Sequence, residues 1–227
     1  MRTLTCAALI FALLPACTTR PLTRNETAIL APIHGATLDT GRVRIAEAPV
    51  VGAFPITYDA RPRVTCRERI GPPQSGRITA RTAGIVLFER LYTSGEFSRP
   101  DYVPELPGGA IDLASAMFLV HEMTHVWQWQ NRDRTGYHPL RAFGEQVMLD
   151  DPYLFSTGAS RPFLEHGYEV QASLVEEYLC CATLDPDGLR TRRLFDTLRE
   201  VMPVSEPRTF ARPAYVPWGE DLEDVCS

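Results

Sequence analysis

The stretch AMFLVHEMTHVWQWQ, residues 116–130, sets His121, Glu122 and His125 inside an otherwise apolar run. Asp112 can cap a helix just upstream, and neither proline nor glycine interrupts the chain from Leu113 to Asn131. Leu113, Met117, Val120, Thr124 and Trp127 follow helical steps, and their neighbours are apolar too, so this helix is expected to be buried nearly all round. Three polar side chains in such a place must each find a partner or cost stability. On a helix, residues i and i+4 lie on one face. His121 and His125 can therefore offer an imidazole nitrogen each to one cation, while Glu122, one residue round, can reach a water beside it. By ordinary residue usage, HExxH arises by chance in about one chain in a hundred of this length, and seldom in the middle of a buried helix.

Two histidines at this spacing point to one Zn²⁺, with Glu122 as the general base for a water whose pKa the metal lowers. A catalytic zinc takes a third protein ligand and keeps one position open. The extended motif HExxHxxGxxH is excluded, because Gln128 and Asn131 stand where it needs glycine and histidine. The third ligand is then a carboxylate from a later helix, in EHGYEVQASLVEEY (165–178). Glu169 is favoured, with small Ala172 and Ser173 leaving room beside it; Glu165 and Glu176 are the alternatives. Glu176 and Glu177 are by default surface charges, though either could hold the second nitrogen of a zinc-bound histidine. Tyr137, His138, His166 and Tyr168 neighbour the ligand-bearing helices and are candidate oxyanion donors. His34, far from the motif, reads as an ordinary surface or loop histidine, and Trp127 and Trp129 as packing and cleft wall.

The chain starts with an address. Arg2 and the apolar run Leu4–Leu14 form a signal peptide too short to span a membrane comfortably. Leu14-Pro15-Ala16-Cys17 resembles a bacterial lipobox, so Cys17 is expected to carry a lipid after residues 1–16 are removed. That places the protein in the bacterial cell envelope, facing the periplasm or the outside. Four cysteines remain for an oxidising compartment: Cys66, Cys180, Cys181 and Cys226. A bond between the neighbours Cys180 and Cys181 would be strained, so Cys66 and Cys226 should each join one of them. A structural zinc cluster would want CxxC spacing, which is missing. The formal net charge of −5 argues against a nucleic-acid partner.

The expected organisation is a leader (1–16), a tether (17–22), one α+β domain (23–202) and a proline-rich tail (203–227) that packs on the domain, tied by Cys226. Thr23 and Glu26 form a capping-box start, and Pro32 with Gly35 limits that helix. GRVRIAEAPV alternates like a half-buried strand, residues 52–77 read as mostly loop, and RTAGIVLFERLY reads as the best single strand. Further helices are expected over 140–149, 162–184 and 188–202.

LVHEMTHVWQWQ followed by YEVQASLVEEYL resembles a bacterial group of HExxH peptidases of the gluzincin kind, some of which accompany Rhs and contractile-injection toxin systems. Their pattern is HExxHVWQ, then a helix of the form EQQAxIVxDYF. Position by position, Glu169 matches the ligand glutamate, Gln171 and Ala172 the following Q-A, and Glu177-Tyr178-Leu179 the D-Y-F, whereas Val170 departs from the usual glutamine. The resemblance covers roughly 22–179, and only HExxHVWQ is highly specific. It implies a zincin-like fold, a small sheet packed on the HExxH helix with a second, glutamate-bearing helix beside it, and zinc-dependent hydrolysis of a peptide or protein substrate. The signal peptide and cysteines depart from that group. A second expectation is a zincin-scaffold lipoprotein with little catalysis that binds an envelope partner; the intact Glu122 stands against it. Oligomeric state is left open.

Overall fold

The computed structural model describes residues 19–148, 151–156, 161–218, 222 and 225–227. The expected leader and the expected lipidation site Cys17 lie outside the described residues. In chain order the elements are β1 (Thr19–Arg20), α1 (Arg24–His34), β2 (Arg44–Glu47), β3 (Pro55–Asp59), α2 (Cys66–Ile70), β4 (Arg77–Arg81), β5 (Gly84–Leu87), β6 (Arg90–Thr93), β7 (Ile111–Asp112), α3 (Leu113–Gln130), α4 (Arg132–Thr135), α5 (Pro139–Met148), α6 (Tyr168–Leu184), α7 (Leu189–Leu198) and β8 (Ala214–Tyr215). The class is mixed α+β, with small sheets and seven α-helices among the described residues.

The capping box forms as the sequence predicts: the Glu26 backbone N–H donates to Thr23 Oγ1 at 3.1 Å, and the Thr23 N–H donates back to Glu26 Oε2 at 2.8 Å. Glu26 does more than cap. It is fully buried and also accepts from both terminal nitrogens of Arg20, at 2.7 and 2.8 Å, and from the Tyr102 N–H at 3.0 Å. One carboxylate thus ties the end of the expected tether, the start of α1 and a distant loop together. Removing one partner of a buried ion pair leaves the other uncompensated. Glu26→Ala should therefore lower unfolding free energy by about 3 kcal/mol in a urea titration; a loss under about 1 kcal/mol would show that water replaces those bonds.

The four-stranded sheet runs β1-β2-β6-β5, with β2 and β6 parallel and both outer pairings antiparallel. Ile45 and Val86 both pair in register with Leu91, all three are buried, and β5 and β6 lie against α3. RTAGIVLFERLY is two strands rather than one. The chain reverses at Phe88 and Glu89, and Phe88 takes φ 61°, a left-handed conformation uncommon for a bulky residue. No glycine or asparagine marks the turn, so the apolar run hid it. Residues 52–77 are likewise not all loop: β3 pairs antiparallel with β4, and α2 lies between them. Most side chains of that hairpin are exposed, and its apolar alternation, Ile56 and Tyr58 opposite Ala80 and Ile78, spans only five residues in each strand.

α3 matches its expected span, with Asp112 accepting from the Ser115 N–H at 3.2 Å. α3 and α6 share the most extensive helix contact, and Met117, Val120, Trp127, Val175, Tyr178 and Leu179 fill the core there. Trp127 is fully buried and donates from Nε1 to Thr37 Oγ1 at 2.9 Å. The second long helix begins later than the sequence suggested. Phe163–Glu165 form a separate 3₁₀ turn, and Gly167 caps α6. His34 is not at the surface. It is the last residue of α1, 1% exposed, within 3.4 Å of Thr124 Oγ1, and burial pushes its pKa down to about 3. It is a neutral core imidazole.

Cys66 is bonded to Cys180 and Cys181 to Cys226, with Cα separations of 6.3 and 5.5 Å. Neighbouring residues on a helix point about 100° apart, so α6 can hold α2 with one cysteine and the C-terminal tail with the next. The tail also adds β8, parallel to β7 at the start of α3. Among the described residues no helix is long and apolar enough to cross a membrane.

Candidate metal centre

α3 and α6 bring His121, His125 and Glu169 together in the core, with potential ligand atoms all within 4.8 Å of one another. Glu169 Oε2 lies 3.2 Å from His121 Nε2 and 3.3 Å from His125 Nε2. The outer nitrogens explain why these rings face inward. His121 Nδ1 lies 3.0 Å from Glu176 Oε2, a carboxylate, so Nδ1 carries the proton it donates. Arg67 grips that same carboxylate, through Nε to Oε1 at 2.7 Å and through Nη2 to Oε2.

His125 Nδ1 lies 2.9 Å from Gln128 Oε1, and its tautomer follows from a chain of donors. Gln128 Nε2 faces the Tyr168 carbonyl at 3.1 Å, which can only accept, so the amide orientation is settled. Its Oε1 must then face His125, and Nδ1 must donate. Gln171 extends the chain, accepting from Gln128 at 3.0 Å and donating to the His166 carbonyl at 2.8 Å. Both imidazoles, when neutral, therefore present the lone pair of Nε2 to Glu169, the arrangement a divalent cation needs. Gln128→Met removes the acceptor for His125 and should weaken zinc about ten-fold in competition with a chromophoric chelator. Unchanged affinity would mean that packing alone aims the ring.

The electrostatics match a site that favours positive charge between these groups. Burial would lower the His121 pKa, but hydrogen bonds to Glu169 and Glu176 outweigh it and push it up to about 9. Burial disfavours a charged His125 too, and the Glu169 charge overcomes it. Burial would raise Glu169, yet the two histidines hold it well below the usual carboxylate range. Burial likewise opposes ionisation of Glu176, and the Arg67 charge brings it down to about 2. In the metal-free chain protons stand in for positive charge between these groups.

Glu122 is buried, and burial raises its pKa against the lowering effect of the two histidines. Its carboxyl packs on β5 at Gly84, where an added Cβ would lie 3.1 Å from the carboxyl carbon and 3.0 Å from both Leu91 and Phe118. A side chain there would press on Glu122, Leu91 and Phe118, so glycine lets the strand run past the carboxyl without displacing it. His121 and Glu122 open onto a cleft of about 700 Å³, walled by Met117 and Phe118 and bordered by Tyr153 and Gln146.

Several expectations are corrected by this geometry. Glu165 is exposed, paired with Arg161 in the 3₁₀ turn, and does not join the cluster. Glu176 and Glu177 are both buried rather than surface charges. Glu177 accepts from the Cys66 N–H at 2.8 Å and from Arg190 Nη1 at 3.0 Å, while burial still pushes it up to about 7. Two partners from distant segments, Arg67 and Arg190, account for the burial of two adjacent acids. Glu177 also neighbours Cys181 and Cys226, but those sulfurs are joined to each other and are not available to a metal.

Of the candidate oxyanion donors, Tyr137 stacks on His125 with ring centroids 6.0 Å apart. Tyr168 packs on Tyr137 and donates its hydroxyl to the Gly136 carbonyl at 2.9 Å. His138 is exposed and accepts from the Leu140 N–H at the start of α5. His166 is half-buried after the 3₁₀ turn; its backbone carbonyl accepts from Gln171, and its ring is not among the groups clustered with His121, His125 and Glu169. Trp129 packs on Phe88 and Arg132. Sequence reasoning missed Arg67, Gln146 and Tyr153. Tyr153 sits 5.8 Å from the His121 ring, and its hydroxyl is 3.3 Å from Gln146 Nε2, which also donates to Glu169 Oε1 at 2.8 Å. Burial raises the Tyr153 pKa, with Glu169 and Glu122 adding to the shift, so the phenol keeps its proton. Only Gln128 carried a signal: three residues beyond His125, it lies on the same helix face. Comparison with family models, curated proteins and solved structures finds no match for this chain.

Proposed function

We propose that this chain is a zinc-dependent peptide hydrolase with a zincin-like domain of the gluzincin kind, exported and held in the bacterial envelope by a lipid on Cys17. The observation that carries it is the convergence of His121, His125 and Glu169, with both outer imidazole nitrogens pinned as donors and Glu122 beside them on an open cleft. This donor set, two imidazoles and a carboxylate, suits Zn²⁺ with one position left for water or substrate. When bound, zinc supplies Lewis acidity towards a water and a substrate carbonyl.

The protein groups divide the remaining work. Glu122 takes a proton from the attacking water and returns it to the leaving nitrogen; its packing against Gly84 holds the carboxyl in place between those tasks. β5 is the last strand of the sheet, so an extended peptide can pair along it and bring a carbonyl past Glu122. Tyr153, protonated and bordering the cleft, donates to the oxyanion. Glu176 with Arg67, and Gln128 with Gln171, keep the two imidazoles aimed.

A library of quenched fluorescent peptides and a denatured bystander protein test the activity. Cleavage that a chelator stops and added zinc restores supports hydrolysis; a zinc-loaded protein that cleaves neither supports the binding-scaffold alternative. Tyr153→Phe should lower kcat by about 100-fold with zinc content and KM retained. Tyr168→Phe should have little effect, because that hydroxyl is already committed to Gly136. The reverse order would assign the oxyanion donor to Tyr168 at the start of α6.

A further inference from the structure

Two adjacent residues of α2 meet one stripe of α6. Glu169, Glu176 and Cys180 stand at i, i+7 and i+11, so the latter two each fall within about 20° of Glu169 around the helix. The first faces the two histidines, the second orients His121, and the third is bonded to Cys66. On α2 the neighbour of Cys66 is Arg67, which holds Glu176 through two nitrogens and lies 3.2 Å from His121 Nδ1. The Cys66 N–H adds a bond to Glu177, the next residue of α6. α2 itself is only five residues long and is flanked by exposed chain at 62–64 and 72–77. Buried Ile70 and the bond from Arg190 to the Val64 carbonyl also anchor it, but so short a helix is not stable alone, and only the disulfide fixes the residue next to Arg67 covalently.

We infer that the Cys66–Cys180 disulfide completes the metal centre by docking Arg67 onto Glu176 and His121, so that the chain gains full metal affinity only after oxidation. The inference rests on the zinc site proposed above and concerns its regulation. Formation of the bond takes two electrons and two protons from the Cys66 and Cys180 thiols and passes them to a disulfide oxidant, which becomes two thiols. Before that step Arg67 is free to leave, Glu176 loses its counter-charge, and His121 loses the fixed acceptor that sets its tautomer. Metal binding would thereby wait for the oxidising compartment to which the leader directs the chain. The second disulfide, Cys181–Cys226, ties only the C-terminal tail and serves as an internal control.

The test is zinc affinity, by competition with a chromophoric chelator, for the whole mature chain and four variants. Cys66→Ser/Cys180→Ser should bind zinc at least about ten-fold more weakly than wild type, the range seen when a ligand's orienting partner is lost. Cys181→Ser/Cys226→Ser should lower Tm yet keep zinc affinity within about two-fold. Arg67→Met, with both disulfides intact, should match the first loss, and adding it to Cys66→Ser/Cys180→Ser should cost nothing more. Wild-type affinity in the Cys66/Cys180 variant overturns the inference. So does an unchanged affinity in Arg67→Met, which decides the matter even if the cysteine variant does not fold. Equal loss in both cysteine variants also overturns it, because the effect would then be general stability. Absence of zinc from folded wild type is a different failure: it removes the metal reading itself, and this inference with it.

Discussion

Glu122→Gln is expected to retain one zinc per chain while losing turnover by about 10³-fold or more, at the upper end of what general acid–base catalysis supplies. The amide is nearly the same size, so it can occupy the same place against Gly84, Leu91 and Phe118. It cannot take a proton from water. Because Glu122 is not one of the three clustered ligands, metal content should not move. Wild-type and variant proteins, matched for zinc by mass spectrometry, would be compared on the same cleaved peptide. Retained hydrolysis would falsify the assignment of Glu122 and shift attention to Glu145 of α5, whose carboxylate accepts from the Tyr168 N–H and has a pKa raised by burial.

Glu169→Ala removes a ligand instead of a base, so zinc itself should be lost. The variant also frees Gln146 and leaves the two Nε2 atoms without the carboxylate that now sits about 3 Å from each. Loss of affinity should exceed the roughly 10–100-fold typical of partners that only orient a ligand. His121→Ala should behave alike. A thermal shift gives a second readout: a ligand at about 1,000 times its Kd stabilises the native state by about 4 kcal/mol. Added zinc should raise the Tm of wild type and leave that of Glu169→Ala in place. If the variant kept its zinc, Glu165 could not be the substitute, since it is exposed and paired with Arg161. Glu176 is engaged on the far nitrogen of His121 and would first have to release Arg67.

The errors of sequence reasoning share a cause. RTAGIVLFERLY reads as one strand because its turn uses Phe88 and Glu89, residues with no turn chemistry; neighbouring packing, including Trp129 against Phe88, holds the reversal. β3 and β4 are hard to read because most of their side chains are exposed and their alternation is only five residues long, set among Gly, Pro and Arg residues. His34 looked like a loop histidine because its burial comes from Thr124 and Trp127, 90 or more residues away. Glu176 and Glu177 looked like surface charges because consecutive acids in a helix usually are. Arg67, 109 residues from Glu176, and Arg190, 13 residues from Glu177 on the next helix, reverse that default, and neither lies within a helical turn of them.

What the amino-acid sequence determined by itself is whatever depends on neighbours within a turn or two of helix. The Thr23–Glu26 capping box, the Asp112 cap, the span of α3 and the shared face of His121 and His125 follow from helical geometry at short spacing, which tertiary structure only has to preserve. The cysteine pairing was half determined, since adjacency excluded one bond of the three arrangements but not the choice between the other two. The tertiary structure decided the rest: Glu169 over Glu165 as the third member, Arg67 and Gln171 as the groups behind the imidazoles, and Tyr153 in the cleft. Those choices join residues about 30 to 110 positions apart, and the helix packing that sets them sums many weak contacts along α3 and α6. No local pattern records that sum.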